Sequence, residues 1–143
     1  MHSNEELAAL AVELIAAGSH FTRAAYQASG MELSNVSMRA LAALEREPGL
    51  RIGQLAAREG IRQPSMSQAM KRLVDDGYAA RHTADDDARA TALTITDAGR
   101  EVLRSYRTAA AEAVAPVFEP LKPEDVATLK RAAELLPELT AES

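Results

Sequence analysis

The chain has 143 residues, 47% of them hydrophobic, which suits one folded domain with a packed core and little length to spare. Aromatics make up only 3% and cysteine is absent, so the core is one of Ala, Leu, Val and Met that favours helices, and disulfides, thiolate metal sites and thiol sensing are excluded. The formal net charge of −5 argues against a nucleic-acid partner until its distribution along the chain is read.

Ser3 and Glu6 form a capping box, S-N-E-E, that opens a first helix. Its apolar side carries Leu7, Leu10, Ala11, Leu14, Ile15 and later Phe21; alanines keep it helical to about Ser29, and Gly30 can end it. His20, Arg23 and Tyr26 mark its polar side, where such residues are usually surface or boundary positions. Leu33 to Glu47 predicts a second helix, capped by Ser34, burying Val36, Ala40, Leu41 and Leu44, and stopped by Pro48 and Gly49. Arg51 to Glu59 is a shorter amphipathic pattern with Ile52, Leu55 and Ala56 inward, ending at Gly60.

The stretch Ile61 to Asp76, IRQPSMSQAMKRLVDD, is the one the others are arranged around. Pro64 suits the first turn of a helix, and Gln63 before it is held extended, as a cap position should be. Met66, Ala69, Met70, Leu73 and Val74 then form one apolar stripe. The opposite face presents Ser65, Ser67, Gln68, Lys71 and Arg72, with no acid until Asp75. Gln pairs bidentately with adenine, Ser reaches several base edges, and Lys or Arg holds phosphate, so this face fits the major groove of DNA. Alone, such a helix reads as an ordinary amphipathic one with a solvated face. Preceded by a short helix and a tight glycine turn, it reads as the second helix of a helix-turn-helix.

Beyond Gly77, Tyr78 to Thr83 and Thr91 to Thr96 predict two short strands, with Thr91, Leu93 and Ile95 alternating along the second. Asp85, Asp86, Asp87, Ala88 and Arg89 form the turn between them, which makes the hairpin a wing. Three consecutive aspartates raise the question of a divalent cation, but neighbours in a turn rarely converge on one ion, and the solvated tip outweighs it. Arg89 at the tip suits a minor groove. Thr96 and Asp97 open a long helix whose stripe runs through Val102, Leu103, Tyr106, Ala109, Ala110, Ala113, Val114 and Val117, with Pro116 near its end. Pro123, Glu124 and Asp125 open a last helix, expected to bury Val126, Leu129, Ala133 and Leu136. Both chain ends thus carry more apolar surface than the centre can cover, which points to a subunit interface.

The charge is unevenly spread. Residues 1–50 hold three cations and six acids, residues 51–107 ten and eight, and residues 108–143 three and seven. Within residues 51–72 there are five cations and one acid, so the basic charge sits on the proposed reading unit, where it should give local, salt-sensitive DNA affinity. No segment approaches the roughly 18 apolar residues of a membrane span, and no basic-then-hydrophobic leader opens the chain, so a cytoplasmic protein without membrane partners is expected. No nucleophile with its base and no glycine-rich phosphate loop appears, and the carboxylates sit at helix starts as caps, so neither an enzyme nor a cofactor is expected. The alternative to DNA is a winged-helix module that binds protein, which the acidic pI of 5.2 and the aspartate cluster favour slightly.

The order of elements, with LSNVSMRALAALEREPGLRIGQLA, RQPSMSQAMKRLVDDGYAAR, the wing pattern at Asp87 and Arg89, and LTITDAGR, resembles the MarR family of winged-helix transcription regulators from about Leu7 to Leu139. The fold this implies is mainly α with a small β-hairpin wing. Residues 1–30 and 98–143 would supply dimerisation helices, and residues 31–97 the winged helix-turn-helix. The resemblance implies a homodimer whose two reading helices enter successive major grooves of a palindromic operator, a repressor released by a small aromatic or phenolic anion. Ser65, Ser67 and Gln68 would read bases, with Gln63 beside them, and Arg62, Lys71, Arg72 and Arg89 would hold the duplex. Asp87 would steady the wing by pairing with a nearby arginine such as Arg81. The effector crevice would lie among the first, second and fifth helices, with His20, Arg23, Tyr26, Met38 and Arg39 as candidates. Ala88 stands where wings of the family often carry the first of two arginines, which weakens the minor-groove grip. No cysteine is present for thiol sensing, and the isolated histidines do not have zinc-site spacing.

Overall fold

The computed structural model describes residues 1–84 and 86–140, apart from the side chains of Asp87 and Ala88. Its elements run α1 (Asn4–Ser29), α2 (Asn35–Arg46), α3 (Ile52–Glu59), α4 (Gln63–Asp75), β1 (Ala79–Ala84), β2 (Asp87–Ile95), α5 (Asp97–Val114), a 3₁₀ turn (Ala115–Phe118) and α6 (Pro123–Thr140). The fold is therefore mainly α with one antiparallel hairpin. No helix among the described residues is long and apolar enough to cross a membrane.

The core belongs to the centre of the chain. Leu41 and Leu44 of α2, Leu55 of α3, Met66, Met70 and Leu73 of α4 and Leu103 of α5 are fully buried against one another. Leu93 and Ile95 close the cluster from the wing, whereas Thr91, the third of that alternating set, is exposed. Each such side chain contributes about 2 kcal/mol by leaving water. Among the described residues Ser37 is the buried polar one; it receives the Ser34 hydroxyl at 3.0 Å, and its own N–H donates to the Ser34 oxygen that caps α2.

Local chemistry fixes the joints. Ser3 and Glu6 make the reciprocal cap of α1, at 2.7 and 3.2 Å. At the end of α4, Tyr78 N–H donates to Leu73 and Gly77 N–H to Val74, the two bonds of a Schellman motif, with Gly77 at a left-handed φ of 82°. At the end of α3 the same pattern recurs through Gly60 and Ile61. Leu50 bridges to Leu93, tying the segment before α3 to the wing. Thr96 joins three elements: its hydroxyl donates to the Gly77 carbonyl and caps Gly99 N–H, while its N–H donates to the Tyr78 carbonyl. Gly99 is held so close that a Cβ there would stand 2.1 Å from the Tyr78 oxygen.

Three expectations need correcting. The cap of α4 falls on Arg62, and Gln63 is already helical, because Pro64 is tolerated anywhere in the first turn. The wing turn is shorter than expected: β2 begins at Asp87, so Asp87, Ala88 and Arg89 continue the strand. Ala84 pairs with Asp87 but Thr83 with Thr91, so residues 88–90 form a bulge between the two pairings, which lets unfavourable strand residues stay extended. Finally, α6 buries nothing: Val126, Leu129, Ala133 and Leu136 are exposed in the single chain. The same holds for α1, where Ile15 is 69% exposed.

Candidate nucleic-acid interface

The sequence of α4 separates its two faces cleanly. With Met66, Met70 and Leu73 in the core, the helical period leaves Gln63, Ser65, Ser67, Gln68, Lys71 and Arg72 exposed, next to exposed Arg62 at the cap. No acid occupies the first turn and no side chain caps it, so its N–H groups and the positive end of the helix dipole are available to an anion. Arg72 reaches back to Asp76 at 3.7 Å, an exposed pair weak enough to yield to phosphate. It also borders a shallow groove against α2, shared with Ser34, Ser65 and Gln68.

On the other side of α4 lies a crevice of about 410 Å³ between the helix and the wing, lined by Ser67 and Met70, by Arg81 and Thr91, and by Arg51. Arg51 was not singled out from the sequence. It occupies the cap position of α3, where no Ser, Thr or Asp stands, and its side chain spans 35 residues to hold the Asp86 carboxylate at 2.6 Å. The wing tip is thereby tied to the helix-turn-helix. The only local sign of this was that Arg51 opens the basic segment of residues 51–72. The Asp87 side chain lies outside the described residues, so its pairing with Arg81 does too. Of the three aspartates, Asp85 also lies outside them and Asp86 is engaged by Arg51; among the described residues no three metal-ligating side chains converge. Arg89 is exposed in the bulge of β2. On the hairpin face, His82 Nε2 and the Thr94 hydroxyl lie 2.8 Å apart.

Away from this surface, the Arg58 guanidinium hydrogen-bonds Glu47 at 3.0 and 3.1 Å and holds its carboxyl below the usual glutamate range, against a smaller upward push from burial. The pair ties α3 to the end of α2. A second crevice, of about 480 Å³, separates α1, α2 and α5. Arg23, Met38 and Arg39 line it, joined by Arg107, Tyr106 and Leu103 from α5 and the two residues Ser19 and Thr22 from α1. Two expected candidates do not line it. Tyr26 packs its ring 6.2 Å from that of Tyr106 and donates its hydroxyl to the Leu33 carbonyl, and His20 is exposed on α1.

Residues 29–90 match the MarR family. An uncharacterized HTH-type transcriptional regulator of Mycobacterium leprae is 32% identical over 115 residues, covering 80% of this chain and 79% of that protein. Among solved structures, a putative transcriptional regulator from Pseudomonas aeruginosa superposes with a TM-score of 0.74 at 23% identity, over 98% of both chains. Apo MarR from Escherichia coli superposes at 0.71 and 15% identity, over 96% of this chain and 99% of that one. At those identities the structures speak for the fold alone.

Proposed function

This chain belongs to the MarR family of transcriptional regulators, and from that premise we propose that it is a homodimeric repressor, acting in the cytoplasm, which occludes a palindromic operator until a small organic anion releases it. One observation carries the DNA reading: the whole polar face of α4, free of acid up to Asp75, is exposed beside the arginines of the wing crevice. On this reading Ser65, Ser67 and Gln68 meet base edges, with Gln63 at the helix entrance. Arg62, Lys71 and Arg72 take phosphates on either side. Arg81 and Arg89 approach the duplex from the wing, Arg89 toward the minor groove and Asp87 in support.

The dimer reading rests on the uncovered faces of α1 and α6, where leucines repeat at helical spacing and none is buried. We assign residues 1–30 and 98–143 to that interface and residues 31–97 to DNA. The effector reading rests on the crevice of α1, α2 and α5, in which arginines sit beside Met38, Ala42 and Leu103. Cations on an apolar wall suit a flat aromatic or phenolic carboxylate.

Selection of duplexes from a random pool at physiological salt tests the proposal. The expected product is a palindrome whose half-site centres lie about one helical turn apart, bound by two chains. Absence of enrichment, with binding that vanishes as salt rises, would leave only nonspecific electrostatics and sink the operator reading. With the operator in hand, Gln68→Ala should relax specificity at one position of each half-site.

A further inference from the structure

Arg39 of α2 faces two places at once. On one side it lines the crevice of α1, α2 and α5. On the other it holds the last residue of α3: its Nε lies 3.2 Å from the Glu59 carboxylate, and an Nη donates to the Glu59 carbonyl oxygen. Arg46 reaches the same carboxylate at 3.5 Å. The Glu59 side chain is only 13% exposed, and the next residue is Gly60, whose left-handed φ of 61° turns the chain toward α4. The turn of the helix-turn-helix is thus tethered to α2 through a cation that also belongs to the crevice.

Arg107 repeats the arrangement, lining the crevice while it donates to Glu45 at 2.9 Å. Among the described residues no carboxylate pairs with Arg23, the third crevice arginine. An entering carboxylate therefore meets one uncommitted cation, Arg23, and two that already hold acids of α3 and α2.

We propose that an anion in the crevice draws Arg39 away from Glu59, and that the Arg39–Glu59 pair is the coupling through which the crevice acts on α4. The inference rests on the effector reading above. A guanidinium binds a carboxylate most strongly through two parallel N–H groups. Arg39 has its Nε and one Nη committed to Glu59; an anion held end-on by the two Nη groups would leave that tether in place, whereas one that takes the side-on pair of N–H groups displaces Glu59. Glu59 is then left with Arg46 alone, at the longer distance, and the turn at Gly60 loses its tether. By linkage, the tethered, DNA-bound form must bind the anion more weakly by the same factor.

The test uses the full-length protein, its selected operator, and benzoate and 4-hydroxybenzoate as probes, with Glu59→Gln compared to wild type. Removing the carboxylate frees Arg39 for the crevice, so benzoate affinity should rise about fivefold. Operator affinity without benzoate should fall by a similar factor, and the further loss on adding benzoate should shrink. A merely structural Glu59 would lower operator affinity without tightening benzoate, and that result overturns the coupling, as does an unchanged response in both assays. Failure of either benzoate to bind wild type at millimolar concentration is a different result: it removes the effector reading and the coupling with it. If Glu59→Gln does not fold, Glu59→Asp, which shortens the reach by one methylene, should give the same signs.

Discussion

The centre of the chain and its two ends carry the same kind of apolar stripe and meet opposite fates. In α2, α3, α4 and the wing, Leu41, Leu44, Leu55 and Met70 bury one another within a single chain. In α1 and α6, apolar stripes remain open, with Leu10 half exposed and Leu139 at 71%. A helical period of hydrophobes says that a face will be covered but not by which molecule. The distinction comes from what surrounds each stripe: the central helices are short and joined by tight glycine turns that fold them onto each other, whereas α1 packs chiefly on α5 and α6 makes at most slight contact with any other element among the described residues.

Substitutions at the two places should separate these fates. Leu44→Ala opens a cavity in the centre and should cost about 3 kcal/mol in denaturant unfolding, by an amount independent of protein concentration. Ile15→Glu combined with Leu129→Glu should leave the central helices folded by circular dichroism yet give a monomer by sedimentation. Operator binding should then weaken by about a hundredfold or more, because two linked half-sites become separate events. A variant that still sediments as a dimer would show that α1 and α6 are not the interface. Gly99→Ala forces a methyl group into the Tyr78 carbonyl and should destabilise the centre by about 2 kcal/mol, read as a lower thermal midpoint. Arg51→Ala releases the wing tip from α3; operator affinity should fall about threefold with little change in unfolding. The smallest effect concerns pH. Since Arg58 holds the folded Glu47 carboxyl below its ordinary range, that pair's contribution is complete above the ordinary glutamate pKa and fades as the pH falls through the lowered folded value. Glu47→Gln should therefore lower stability slightly near neutral pH and not at all in acid, which flattens the acid limb of the stability curve.

Much of the fold was legible because its signals are local. The Ser3–Glu6 box, the Ser34 and Thr96 caps and the stops at Gly30, Gly60 and Gly77 all stand where the residue types placed them. The polar face of α4 was legible for the same reason, since a helix of known phase fixes which side chains lie opposite the core. What escaped the sequence is long-range. Arg51 and Asp86 meet across 35 residues, and Arg39 and Glu59 across 20, with no periodicity to announce either pair. The start of β2 was misplaced because Asp, Ala and Arg have weak strand preference, and the bulge opposite Thr83 overrides it. In the crevice of α1, α2 and α5, the phase of α1 was readable but its rotation against α5 was not, so Tyr26 was assigned to the crevice although its hydroxyl turns to Leu33.

The close approach of Gly99 to the Tyr78 carbonyl has a mechanical consequence. With no side chain to act as a cushion, the start of α5 bears directly on the exit of α4, as a rigid beam bears on a fulcrum. The beam is 18 residues long, about 27 Å at the helical rise, so a tilt of about 5° displaces its far end by about 2 Å. That far end falls within residues 98–143, the segment assigned above to the proposed dimer interface. On that reading, small changes in how two copies pack would be geared, through one glycine, to the aim of each reading helix.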